Sequence, residues 1–266
     1  MKKLTKNDVI ILLLVFFTVF AFKAGLFAQK TFEGYWESET ISQSNFSAKQ
    51  APKTINMQKI YYKKGKMKIV DFSDNSTTIF RLDKGLSWEI DHNNKTYSEM
   101  RFEDMEKNLK AAKTEMAQKI QELSKEDQEM MKKMMGGKLS KMLEGKMPTV
   151  SFKNTGKTKT INGYKCSQVL MYLDNEPLME MWLTPKYNMG DDFIKIYQKM
   201  GFIKGEVPAE SQLKGFPIYN KMEMNMGMGN MVSETTVKKI VPTKISDSEF
   251  EVPKGYKKIE MKNLFK

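Results

Sequence analysis

The stretch KMEMNMGMGNM, residues 221–231, holds five methionines in eleven residues, with Met222, Met224, Met226 and Met228 at every second position. On an extended strand this spacing puts four thioethers on one face and Lys221, Glu223, Asn225 and Gly227 on the other. Three chemistries can use such a row. A plain core face gains about 1.5–3 kcal/mol for each side chain buried. An adaptable apolar wall exploits the rotatable bonds and polarizable sulfur of methionine. A soft-metal site uses thioethers as Cu(I) ligands. Methionine is not β-branched, and Gly227 and Gly229 weaken a strand interior, so strand propensity does not account for the choice. Copper further needs several sulfurs to converge, which one extended strand does not supply. A second methionine group, Met130, Met131, Met134 and Met135, falls in a segment with helical spacing. The ligand-lining candidates are these eight residues, and the Cu(I) alternative uses Met222, Met224, Met226 and Met228.

Other reactive types are sparse. His92 is the sole histidine and sits in DHNNKT, a run of turn formers, where an exposed turn residue is expected. A multi-histidine zinc site cannot be assembled from it, and it is a poor base for a Ser-His-Asp or Cys-His device. Cys166 is the single cysteine, so no internal disulfide forms, and an inert core thiol is expected. Gly156-Lys157-Thr158 looks like the end of a phosphate-binding loop, but Ser151 stands where the earlier glycine belongs and no helix follows. The acids Asp71, Asp74, Asp83, Asp91, Asp191 and Asp192 read as turn and cap residues. No catalytic residue, metal-ligating cluster or cofactor is expected.

The chain has 266 residues and a formal charge of +12, almost all from lysine, with Arg81 and Arg101 the only arginines. Base-reading proteins lean on arginine for bidentate contact with guanine, so no nucleic-acid partner is expected. A basic lysine-rich surface fits solubility, or an anionic envelope surface. Residues 1–28 carry Lys2, Lys3 and Lys6, an apolar run over residues 9–22, then Lys23 and AGLFA before Gln29. This pattern is an export signal with cleavage expected after Ala28, because the apolar run is short for a bilayer span. A periplasmic or secreted monomer follows, with residues 29–266 as one domain.

The elements that must position the methionines can be read from periodicity. Residues 31–41, 55–72 (split at KKGK), 76–91 (split at DKG) and 96–102 are short β-rich runs joined by Gly, Asn and Asp turns, an antiparallel meander. Met105, Leu109, Ala112, Met116, Ile120 and Leu123 then step by three or four, one face of a helix. Ser124 with Asp127 marks a second helix start. Strands resume over 149–173 and 176–185. A short helix is expected at 191–202, strands at 216–231 and 232–241, and a closing segment at 250–259. Residues 42–54 are expected to be a loop.

FEGYWES, IYYKKGKMKIVDF, DHNNKTYSEM, TGKTKTINGYKC, MEMWLTP and FEVPKGYKKI together resemble the secreted bacterial family called domain of unknown function 4412 (DUF4412). The resemblance spans roughly residues 31–260. It implies no catalytic residues, and an architecture similar to periplasmic lipoprotein-carrier (LolA-like) folds. The expected fold is therefore α+β: a curved antiparallel β-sheet, an open half-barrel, with a helical lid from the inserted Met-rich segment 103–147. Trp36, Trp88 and Trp182 are expected in or near its packed side. The expected function is a non-enzymatic exported carrier for a hydrophobic ligand, a lipid or lipoprotein acyl chain. A Cu(I)-binding envelope protein and a ligand-free structural envelope protein are the alternatives.

Overall fold

The structure, a computed structural model, describes residues 31–46, 52–130, 149–189, 192, 195, 215–225 and 229–260. Among the described residues twelve strands form one open sheet. In chain order they are β1 (Gly34–Phe46), β2 (Thr54–Lys63), β3 (Lys66–Asp71), β4 (Ser76–Arg81), β5 (Leu86–Asp91), β6 (Thr96–Arg101), β7 (Val150–Ile161), β8 (Tyr164–Leu173), β9 (Glu176–Thr184), β10 (Phe216–Asn225), β11 (Gly229–Pro242) and β12 (Lys257–Lys258). Across the sheet the order is β12-β6-β5-β4-β3-β2-β1-β11-β10-β9-β8-β7, so two meanders meet where β1 pairs with β11. Every pair is antiparallel except β12 on β6.

The turns follow the sequence. Gly65 and Gly85 take positive φ at the β2–β3 and β4–β5 turns, and Asn75 and Lys95 do so at the β3–β4 and β5–β6 turns. Asp71 accepts from the backbone N–H groups of Ser73 and Asp74, and Asp91 from those of Asn93 and Asn94, as short acids do at tight turns. Gly34 is needed for a different reason. Its φ is +153°, and a Cβ there would lie 2.2 Å from the Val241 carbonyl oxygen across the β1–β11 pair.

The architecture is mostly β, and the α+β expectation is corrected to that extent. Helix α1 (Phe102–Gln121) follows β6 directly and starts on buried Phe102, whose N–H donates to the Gly85 carbonyl at 3.0 Å. Glu103 and Asp104 sit in its first turn, where the helix dipole favours acids. Ser124 opens a second helical segment: its Oγ accepts from the Asp127 N–H at 3.1 Å and donates to the Asp127 carboxylate at 2.7 Å. The side chains of Met105, Leu109, Ala112 and Met116, and all of residues 131–148, lie outside the described set. Among the described residues no helix is long and apolar enough to cross a membrane.

Register assigns the core to two faces. Trp36, Ile60, Tyr62, Met67 and Phe80 share one face of β1–β4 and form the largest cluster with Phe32, Phe102 and Phe216. Phe216 stands on the end of β10 that has left β11, because their pairing begins only at Tyr219↔Thr236. From there its ring meets Trp36 edge-on at 5.0 Å. Trp88 is on the opposite face, which corrects the expectation of a single packed side. With Ile79, Leu86 and Ile90 it is covered by the C-terminal segment through Ile245 and Phe250. Buried Arg81 holds that segment, donating to the Phe250 carbonyl at 3.1 Å and pairing with Glu251 and Asp83.

Two further boundaries differ from the sequence reading. β1 runs to Phe46, into the segment expected as a loop from Ser42, because Ser42 and Ser44 still find backbone partners on β11. The run 216–231, expected as one strand, is two: β10 ends at Asn225 and β11 begins at Gly229.

Candidate functional site: a thioether rung on one face of the sheet

Alternation places Met222 on the Trp36 face of β10, while Lys221 and Glu223 face the other way and pair at 2.7 Å. The structure adds a relationship running across the strands. Met222 stands opposite Met179 on β9, Met179 opposite Met171 on β8, and Met171 opposite Phe152 on β7. Directly opposite residues in antiparallel strands have Cβ atoms about 4.5–5.5 Å apart, so these side chains touch as neighbours. The next rung inward is Val169, Met181 and Asn220. Val169, Met181 and Leu183 are buried, and Phe152, Met171 and Met179 pack on them while staying partly exposed.

Beyond β10 the same face changes character. Met222 is followed across the sheet by Ser233 and Ser42, and Asn220 by Thr235 and Thr40. The hydroxyls pair across β1 and β11, Thr40 with Thr235 at 2.9 Å and Ser42 with Ser233 at 3.1 Å. On β2 and β3, Asn56 and Gln58 donate to the Asp71 carboxylate at 2.6 and 3.1 Å. Burial pushes the Asp71 carboxyl up, but those donors and two backbone N–H groups outweigh it and hold the group below its ordinary value. The boundary between thioethers and hydroxyls thus falls between β10 and β11. Asn220 stands at it, and its side-chain carbonyl oxygen is buried with no hydrogen-bond partner among the described residues.

The reverse of β10 is different in kind. Tyr219 is partly buried there; burial first, and then the Glu234 carboxylate, push its phenol up to about 12. Lys159 lies over the Trp182 ring at 3.9 Å, closing that side with a cation–π contact.

The eight sequence candidates are placed as follows. Met222 lies in the rung. Met224 pairs its backbone with Met231. Met130 is 54 % exposed in the second helical segment. Met226, Met228, Met131, Met134 and Met135 lie outside the described residues. Sequence reading passed over Met171, Met179 and Met181, although MEMW on β9 repeats the every-second spacing seen in KMEM on β10.

The other reactive residues are engaged structurally. His92 begins a turn as expected but is half-buried: Nε2 is 2.8 Å from the Thr77 hydroxyl and Nδ1 2.7 Å from the Tyr256 hydroxyl. Cys166 is fully buried, and burial pushes its thiol up. Asp192 departs from the solvated-cap expectation. It is buried and accepts from the Tyr62 hydroxyl at 3.0 Å and the Gly65 N–H at 2.5 Å. Among the described residues no group of three His, Cys, Asp or Glu side chains could hold a metal ion.

These features define a mostly β protein built on an open sheet, one face of which is divided into an apolar and a hydroxyl-bearing half. The family model described as "Domain of unknown function (DUF4412)" matches residues 124–256, and the chain belongs to that family. The match takes in β7–β11, the thioether rung and the closing FEVPKGY, while β1–β6 precede it. No curated protein matches the chain. Solved structures similar to it include an uncharacterized conserved protein from Thermus thermophilus, with TM-score 0.42 and 7% identity over 85% of this chain and 91% of that one. Another is the LolA superfamily protein NE2245 from Nitrosomonas europaea, with TM-score 0.29 and 6% identity over 82% and 90% of the two chains.

Proposed function

We propose that this protein is an exported, non-enzymatic carrier whose thioether-lined sheet face holds an apolar ligand such as a lipid or acyl chain. The observation that carries the reading is the rung Met222, Met179, Met171 and Phe152, partly exposed on four adjacent strands. Four strands span about 14 Å at the usual strand spacing, room for an extended chain laid across them. Methionine suits a surface that must accept varied apolar shapes, whereas a permanently sealed core gains more from rigid, well-fitting side chains. The segment 103–147 would serve as the lid that shelters the ligand from water. The export signal over residues 1–28 would deliver the protein to the envelope. A non-enzymatic role is supported by His92, whose ring nitrogens both engage hydroxyls, and by Cys166, buried with its thiol raised.

The test is displacement of a hydrophobic fluorescent dye by fatty acids and monoacyl lipids. Saturable, displaceable binding that is lost on Met179→Asp is expected. A pure protein that binds neither dye nor lipid overturns the reading.

A second reading is Cu(I) binding. It is favoured by one specific observation: three thioethers on three neighbouring strands stand closer together than alternate residues of one strand can. Titration with Cu(I) against a chelator of known affinity separates it from the first.

A further inference from the structure

We infer that the ligand of this face is amphipathic, with an apolar chain along Met222, Met179 and Met171 and a head that donates a hydrogen bond to Asn220. The inference rests on the carrier reading and adds the chemistry of the head. Asn220 supplies the central observation: its side-chain carbonyl oxygen is a buried acceptor with no donor among the described residues. Buried polar atoms in folded proteins nearly always have a partner, so an orphaned acceptor calls for one from outside the fold. Its position is the one a head group needs. Asn220 is two residues along β10 from Met222 on the same face, and it stands opposite Met181 on one side and Thr235 on the other.

The neighbouring groups fix the class of head more closely. Thr40 and Thr235 share one hydrogen bond at 2.9 Å, as do Ser42 and Ser233 at 3.1 Å. In each pair one hydroxyl proton bridges the two oxygens and the other remains to be donated, while oxygen lone pairs can also accept. A head meeting the Asn220 oxygen must donate, and the hydroxyl row can give or take a further hydrogen bond. An alcohol, a polyol or a primary or secondary amide does so. An ester or an ether accepts only, and leaves Asn220 unsatisfied. A carboxylate likewise brings no proton to the Asn220 oxygen, and it would approach the side of the face where Asp71 already holds charge. Lys221, the lysine next to Met222 on β10, points to the opposite side of the strand and pairs with Glu223. The face therefore selects a head that donates a hydrogen bond, such as that of a hydroxyl- or amide-headed monoacyl lipid, over a fatty acid anion.

The experiment uses the full chain, a bound hydrophobic dye, and two probes of equal chain length. One is 1-monolauroylglycerol. The other is its di-O-methyl ether, which keeps every oxygen but has no O–H to donate. Displacement by the glycerol at about one tenth the concentration needed for the ether is expected, in line with one buried hydrogen bond. In Asn220→Leu the two probes should displace alike, and in Asn220→Asp, which keeps an acceptor, the preference should persist. Equal displacement by both probes in the unaltered protein overturns the inference and leaves the carrier reading standing. Displacement by neither overturns both. A preference for the glycerol that survives intact in Asn220→Leu also overturns it. The comparison in the unaltered protein needs no variant, so a poorly folding substitution does not blunt the test.

Discussion

The Tyr62 hydroxyl lies 3.0 Å from the Asp192 carboxylate and 2.6 Å from the Met189 carbonyl oxygen, two residues far away in sequence. Tyr62 is 1% exposed, so these bonds form away from water. They tie the segment after β9 to the β2–β3 hairpin, with the Gly65 N–H completing the bonding of Asp192. A buried carboxylate deprived of a donor keeps its desolvation cost while losing the compensation. Tyr62→Phe retains the ring and its stacking on Phe32 but removes the donor. A loss of about 1–3 kcal/mol is expected. Urea denaturation should show it as a lower midpoint at unchanged slope, and an unchanged midpoint would mean that the tie contributes nothing.

The C-terminal segment is held over the Trp88 face by charge as well as by Phe250. Asp247 accepts from Lys63 and Lys66, each at 2.9 Å, and these ammonium groups hold its carboxyl at about 2. Because the folded value is depressed below the ordinary carboxylate value of about 3.9, the contribution to stability is complete above that pH. It is lost as pH falls through about 2. Asp83 and Glu251 are held below their ordinary values too. For Asp83 the leading cause is the Arg81 hydrogen bond, and for Glu251 the Arg81 and Lys84 bonds outweigh burial. Asp247→Asn should flatten part of the acid-induced fall in melting temperature between about pH 4 and pH 2. Identical acid profiles for the two proteins would remove Asp247 from the account.

Gly34 sits where β1 pairs with both β2 and β11. A Cβ at this position would meet the Val241 carbonyl oxygen at 2.2 Å and the Phe32 ring at 2.9 Å. Neither the backbone oxygen nor a ring packed among Trp36, Tyr62 and Phe216 can retreat cheaply. Gly34→Ala is therefore expected to cost at least ~2 kcal/mol, through the clash and the positive φ together. Gly85→Ala has open space around the Cβ and meets only the backbone preference, so it should cost about 1 kcal/mol. Thermal melts of the two variants side by side measure the difference.

The meander of β2–β6 was legible because its turns are written in Gly, Asn and Asp and its strands alternate cleanly. Helix α1 and the Ser124 start were legible for the same local reason: a three-to-four spacing and a cap. What could not be read was anything set by pairing between distant segments. The junction of β1 with β11 joins residues about 200 apart in the chain, and no local pattern announces it. Hence residues 42–46 looked like a loop: beyond Ser42, which also meets Thr54 on β2, they find their partners on distant β11. The thioether rung was half legible. KMEM and MEMW each alternate, but that Met222 faces Met179 depends on the β9–β10 register, which the bulge at Pro217–Tyr219 resets. Asn220 gave no signal, since an orphaned acceptor is a property of surroundings rather than of sequence.

The rung allows the apolar-wall and copper readings to be separated by one pair of substitutions. Leucine has nearly the volume of methionine and no sulfur, so Met179→Leu with Met222→Leu keeps the apolar surface and removes two of the three neighbouring thioethers. Volume-conserving exchanges of this kind usually cost less than about 1.5 kcal/mol each, so the double variant should fold. If the wall binds apolar chains, dye and lipid binding should change by no more than a few-fold, because the contact is dispersive and non-directional. If the rung binds Cu(I), affinity should collapse, because leucine offers no ligand atom. Met179→Asp gives the opposite contrast: it places a charge in the apolar half of the face and should abolish lipid binding. Retained lipid binding in the leucine pair together with loss in the aspartate variant assigns the face to apolar ligands. Loss of Cu(I) binding in the leucine pair, with lipid binding absent throughout, assigns it to the metal.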